Sequence, residues 1–367
     1  MRLVFLPIVA TLLAASLAAQ PDLSRRFFDF TAVSADNPVV ATIGGTVKIP
    51  LSELRAYRQG ERLQATTTTL REKRALLDDL INEYLYVDEA YRGGVVESPR
   101  FAKQMEATRT MILTDFMATR AQQEKPKSPA PPGDAAALLA DRLFDEAPIE
   151  VSNEAFDLVK QAAQKIDTTR AASMRGPVVD SAEEASAKLF AIINATPEAV
   201  VVRYEGKTLS IHEVLSIYAG LPAPRPKITT QEGFVALIKP MITPELMALE
   251  AARRGIPREA DFQHKLVQNR NALLRFHVQG AIEAKANDIL RGPELQPRLA
   301  AWYRDHANAF AIASPDGGRK IPPLADVADR ALADFSVDLC DQMRAAKARE
   351  LRQRQPIEIN EAALQAL

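Results

Sequence analysis

Apolar side chains recur along most of the chain at intervals of three and four residues, the period of a helix that buries one face. Phe101, Met105, Thr108, Ile112 and Phe116 share one such face, and Phe262, Leu266, Asn269, Leu273 and His277 share another. The longest clean stripe is C-terminal: Leu324, Val327, Ala331, Leu332, Phe335, Leu339, Met343 and Ala346, with Asp326, Asp329, Arg330, Asp334 and Arg344 outside it. Residues 39–45 (Val-Val-Ala-Thr-Ile-Gly-Gly) and 200–206 (Val-Val-Val-Arg-Tyr-Glu-Gly) are short β runs, each broken by a turn and leading into a helix. The pattern predicts a mainly α fold with small hairpins.

Helix boundaries are marked by residue chemistry. Ser210-Ile211-His212-Glu213 is a capping box, in which Ser210 and Glu213 satisfy free backbone N–H groups and His212 sits exposed in the first turn. Arg254-Gly255-Ile256-Pro257 places Gly where a helix ends in the left-handed region and Pro where it cannot continue. Gly94-Val95 repeats this stop, and Ser98-Pro99 supplies an N-cap and a first-turn proline for the next helix.

The repetition is general. At an offset of 161, residues 81–113 align with residues 242–274 with nine identities in 33 positions, including Glu89/Glu250, Gly94/Gly255 and Phe101/Phe262. The segment Pro148-Ile149-Glu150-Val151-Ser152-Asn153 returns as Pro356-Ile357-Glu358-Ile359-Asn360, so each half is expected to close with the same short strand. Between the halves, residues 125–133 (Lys-Pro-Lys-Ser-Pro-Ala-Pro-Pro-Gly) read as a stiff linker. Residues from about 159 to 195 have no counterpart.

Composition narrows the chemistry. With 46 basic and 47 acidic side chains the chain has no electrostatic footprint for nucleic acid. A single cysteine, Cys340, rules out internal disulfides, and four histidines leave little for metal or acid/base work. Nucleophile-elbow, phosphate-loop, dinucleotide and zinc-helix spacings are all absent from the sequence. The acidic pairs Asp78-Asp79 and Glu183-Glu184 are adjacent on helices and point apart. No catalytic residue, metal ligand or cofactor is assigned. The basic run Arg344, Lys347, Arg349 and Arg352 is expected to be a solvated helix end. Met1-Arg2, an apolar run to Leu17 and small residues at Ala18-Ala19 match a signal peptide over residues 1–18, which implies a periplasmic or secreted protein without stable membrane insertion.

Taken together, residues 39–45, the helix start Leu51-Ser52-Glu53-Leu54 and the series Leu77, Leu80, Ile81, Glu83, Leu85, Glu89, Ala90 and Gly94 resemble the chaperone module of the SurA/PrsA-type extracytoplasmic foldases. The second copy keeps Met241, Ile242, Leu246, Glu250, Ala251 and Gly255, with Pro244 where Glu83 stands in the first. The resemblance implies two SurA-N-like modules, at 38–158 and 200–367, joined by a helical connector at 159–199. That family's parvulin isomerase domain has no room here, since only about ten residues separate Phe310 from Ile321. The implied function is a chaperone that binds unfolded exported polypeptides, with a homodimer compatible with the repeat. Met105, Met111, Phe116, Met117, Met241, Met247 and Phe276 are the candidate client contacts, because Met and Phe repack against varied sequences. Core packing is the competing role for each. A prolyl isomerase with an unrecognised site and an envelope adaptor for one partner are the alternative functions.

Overall fold

The computed structural model describes residues 26–60, 69–124, 135–175, 181–222, 224–313 and 318–367. The expected signal peptide with its cleavage near Ala18, and the linker at 125–133, lie outside these. The first copy contributes β1 (Val39–Ile43), β2 (Val47–Pro50), α1 (Leu51–Gly60), α2 (Leu70–Arg92) and α3 (Pro99–Gln123). There follow α4 (Ala135–Glu146), β3 (Ile149–Val151), α5 (Asn153–Arg175) and α6 (Ala182–Ala195). The second copy has β4 (Val200–Tyr204), β5 (Lys207–Ser210), α7 (Ile211–Gly220), α8 (Gln231–Arg253) and α9 (Ala260–Arg291). The chain ends with α10 (Leu295–His306), β6 (Ile312–Ala313), β7 (Arg319–Lys320), α11 (Ala328–Arg354), β8 (Ile357–Ile359) and α12 (Glu361–Gln365). The fold is mainly α.

The repeat holds at the level of single residues. Helices α2 and α8 both span 23 residues, and both begin and end 161 positions apart. Each is followed by a left-handed glycine, Gly94 at φ 69° and Gly255 at φ 82°, and one 3₁₀ turn. Glycine adopts this geometry without the Cβ clash that other residues meet there. Ser98 Oγ then accepts the Phe101 N–H at 3.2 Å and starts α3. The capping box at Ser210 and Glu213 is present as expected.

The chain forms two compact units, one built from Met1–Glu106 with Gln263–Leu367 and the other from Ala107–Phe262. This division differs from modules at 38–158 and 200–367. In the first unit β1 lies between β2 and β8, with Ala41 opposite Ile359 and Ile43 opposite Ile357. In the second, β4 lies between β5 and β3, with Ile149 opposite Tyr204 and Val151 opposite Val202. Each hairpin is therefore closed by the strand that follows the other copy. The physical reason is degeneracy: β3 and β8 share one apolar alternation, so pattern alone leaves the partner open.

The first unit buries Val40, Ile49, Leu51 and Leu54 against Leu77, Leu80, Ile81 and Leu85 of α2, with Leu274, Val278 and Ile282 of α9 completing the core. The buried face of α9 thus starts at the expected Phe262 but then runs through Val267, Asn271, Leu274 and Val278, one or two positions beyond the expected Leu266, Asn269, Leu273 and His277. Both series are helical, and burial picks the one that meets α2. The basic run is paired as well: Arg352 bonds Asp78 Oδ1 at 2.8 Å, the Asp78 carbonyl at 2.8 Å and Asn82 at 3.0 Å, while Lys347 meets Glu89 at 2.6 Å. These contacts fasten α11 to α2. Ala348 and Leu351 are its buried residues there, and Ala346 is exposed. A second apolar cluster gathers Leu299, Tyr303, Phe310, Ala331, Phe335 and Leu339, with Cys340 half-buried beside it.

The second unit packs Val214, Leu215 and Tyr218 of α7 and Phe234, Ile238 and Ile242 of α8 against Val159 and Ile166 of α5 and Leu189 and Ile193 of α6. Residues 159–195 are thus integral to a core and do not form a connector. The C-terminal part of α3 belongs here: Thr114 Oγ1 donates to the Pro244 carbonyl at 2.9 Å, Arg120 pairs with Glu259 at 2.8 Å, and Phe116 meets Phe262 edge-on with ring centroids 5.9 Å apart.

Candidate functional site

A cavity lies in the second unit, beside α5. It is a groove of about 640 Å³ between that helix and the segment that joins α7 to α8. A shallower recess of about 430 Å³ adjoins it, sharing Gln164 and Thr168. The lining of the two takes ten residues of α5 within a span of 12 positions, from Lys160 to Ala171. At 1.5 Å per residue this is a trough about 18 Å long, room for about five residues of extended chain at 3.3 Å each.

The walls are fixed by a small polar network. Asp167 accepts the Tyr218 hydroxyl at 2.7 Å on one carboxylate oxygen and Arg225 Nη1 at 2.8 Å on the other. Arg225 Nε and Arg170 Nη1 both donate to the Leu221 carbonyl, at 2.9 and 3.0 Å, so two arginines hold the end of α7. Burial pushes the Tyr218 hydroxyl well above the usual phenol range, and its bond to Asp167 acts in the same direction. Tyr218 is therefore a neutral donor at physiological pH, and Asp167 braces the wall. The opposite side is pressed onto α8 at Gly233, where a Cβ would lie 1.8 Å from the Lys227 carbonyl oxygen. Only glycine permits that approach. Thr230 Oγ1 accepts the Gly233 N–H at 3.1 Å and caps the same helix.

This groove was not among the sequence candidates, since its residues come from separate segments and match no motif. The candidates themselves divide. Met117 is fully buried and Met247 nearly so, which makes both of them core residues in place of client contacts. Their helices present those positions inward, as the competing role required. Met105 packs against the core of the first unit, Met241 packs against that of the second, and Phe116 is engaged with Phe262. Met111 and Phe276 are exposed, at 51% and 56% of their accessible surface. Phe276 borders a recess of about 420 Å³ with Arg100, Gln104, Leu273, His277 and Gly280. His212, expected at the surface, is half-buried with its ring nitrogens 2.7 Å from the Thr196 carbonyl and 2.5 Å from Glu198.

Among the described residues no three His, Cys, Asp or Glu side chains converge as a metal site would require, and no helix is long and apolar enough to cross a membrane. Compared with protein-family models, with curated proteins and with solved structures, the chain matches none.

Proposed function

We propose that the protein is an extracytoplasmic chaperone that holds short extended stretches of unfolded polypeptide. The observation that carries this reading is the trough on α5. It is long enough for about five extended residues, and it mixes Tyr218, Pro222, Pro226 and Ile228 with the flexible side chains of Lys160, Gln164 and Lys227. Such a lining fits many sequences, because apolar contact is non-directional and long polar side chains adapt. The exposed Met111 and Phe276 add adaptable apolar surface to their units.

The test is aggregation of an unfolded exported protein followed by light scattering. A several-fold excess of the chain delays aggregation, and Ala171→Trp, which fills the trough from the exposed side of α5, reduces the delay. No delay by the parent chain sinks the reading. An unchanged delay with Ala171→Trp removes the trough from it. Recovery of one stoichiometric partner in place of a mixed client set points to the adaptor alternative, and accelerated proline isomerisation to the enzymatic one.

A further inference from the structure

Residues 26–31 cross the first unit outside any helix or strand, and the unit treats them as a bound peptide. Glu53 Oε1 accepts the N–H groups of Phe27 at 2.7 Å and Phe28 at 3.1 Å, and Oε2 accepts that of Asp29 at 2.7 Å. Tyr84 steadies the carboxylate through its hydroxyl at 3.1 Å. Carbonyls are read from the other side: Asn271 Nδ2 donates to Arg26 O at 3.0 Å and Gln268 Nε2 to Phe28 O at 3.3 Å. The rings are accommodated one by one. Phe27 is buried edge-on to Tyr84 at 5.2 Å, Phe28 leans on Tyr57 at 5.3 Å, and Phe30 stacks on His264 at 4.0 Å.

The repeat shows that this is a specialised use of one position. Glu213, in the same place in the second copy, closes the capping box with Ser210. In the first copy Pro50 stands where Ser210 does, and Glu53 turns inward, fully buried, to the strap. A buried carboxylate that gathers three successive backbone N–H groups of a segment more than twenty residues away recognises main chain bent as residues 26–29 are bent at Phe27 and Phe28, since in an extended chain successive N–H groups point to opposite sides. The strap is also anchored separately from the strand that follows it. Residues 31–36 are exposed, and the chain is re-anchored behind them at Asn37, whose side chain donates to Ser52 Oγ at 2.9 Å and accepts the Ser52 N–H at 2.8 Å. Release of 26–31 therefore leaves β1 in place.

We propose that the Glu53 cleft is a peptide-binding site that residues 26–31 fill as a tethered ligand, and that its exchangeable occupant is a client segment that takes the same bend, with aromatic residues at its second, third and fifth positions, where Phe27, Phe28 and Phe30 stand. The site deepens the chaperone reading and rests on it only for the word client. A ligand held on a short tether competes at an effective concentration in the millimolar range, so the intact chain should resist the same peptide added in solution.

The probe is a fluorescent peptide of sequence Arg-Phe-Phe-Asp-Phe-Thr, titrated by anisotropy into the full chain, a variant lacking residues 26–31, and that variant with Glu53→Ala. The deletion variant should bind saturably and at least 10-fold more tightly than the full chain. Glu53→Ala should abolish the gain, as should methylation of the peptide nitrogens at both leading Phe residues. A folded deletion variant that does not bind, binds the methylated peptide equally well, or binds no better than the full chain overturns the proposal. Should the deletion variant be unfolded, the added peptide must restore its cooperative melting, and failure to do so is equally fatal. Phe27→Ser with Phe28→Ser in the full chain should also raise peptide affinity, and unchanged affinity counts against the strap. Peptide binding without any delay of client aggregation would refute the chaperone reading and leave this site standing.

Discussion

Glu53 and Glu213 stand at one position of the repeat and do different work, so replacing each with alanine separates a buried anchor from a helix cap. Glu53→Ala leaves the Phe27 N–H and the Tyr84 hydroxyl buried without their acceptor, and the Phe28 and Asp29 N–H groups partly so. A buried polar group stripped of its partner costs about 1–3 kcal/mol. Two such groups, with smaller losses from the half-buried pair, give about 3–5 kcal/mol, offset in part by relief of the desolvation that opposes the charge. Glu213→Ala breaks only the return bond of an exposed capping box, from the Ser210 N–H at 2.9 Å, and should cost about 0.5–1 kcal/mol. For a unit of this size each kcal/mol lowers the melting temperature by about 2–4 °C. Calorimetry on both variants then expects a fall of roughly 6–20 °C for Glu53→Ala, confined to the transition of the first unit, and about 1–4 °C for Glu213→Ala. Equal shifts, or a larger one for Glu213→Ala, would refute the assignment of Glu53 as an internal acceptor.

Burial raises the pKa of Glu53 against the opposing influence of its three N–H partners and Arg26. The folded state therefore binds this proton more tightly than the unfolded chain, so its titration favours folding at low pH and loses that contribution as pH rises through the raised value. The stability difference between the parent and Glu53→Gln should move in favour of the parent as pH falls from neutrality toward the ordinary glutamate range; a flat difference in urea titrations would contradict it. Met117→Ala should cost about 2–5 kcal/mol and Met111→Ala less than about 0.5, since one side chain is enclosed and the other exposed. Comparable urea midpoints for these two variants would mean that the α3 face is misassigned. Gly233→Ala forces the 227–228 backbone off α8 and should destabilise the second unit by about 1–3 kcal/mol or more, read as a lower thermal midpoint; an unshifted midpoint would show that the groove wall is soft.

Much of the architecture was legible because helix signals are local. Gly94, Gly255, Ser98 and Ser210 act on their own neighbours, and each performs the role its type implies. The pairing of hairpins with closing strands was not legible, since Ile149–Val151 and Ile357–Ile359 carry equivalent side-chain patterns and their partners differ only by tertiary context. The shift of the α9 face from Leu273 to Leu274 has a related cause: adjacent stripes both read as amphipathic, and only the packing of α2 distinguishes them. Glu53 reads in sequence as an ordinary first-turn acid. Its burial depends on residues 26–29, which no helical or strand period marks. The trough joins Asp167, Tyr218 and Arg225, far apart in the chain, and so leaves no spacing to detect.

The crossed closing strands also set a timetable. The second unit is a continuous stretch that is complete once Phe262 has been made, whereas β1 waits for a strand centred on Glu358. At about 5–20 residues per second that interval lasts about 5–20 seconds of synthesis. Throughout it the outer edge of β1 is open, and the first strand available to it is Ile149–Val151, a near copy of its proper partner. The wrong closure would produce the contiguous module that the repeat implies. Pairing of β3 with the β4–β5 hairpin, whose strands are complete by Ser210, leaves β1 vacant for the last strand of the chain.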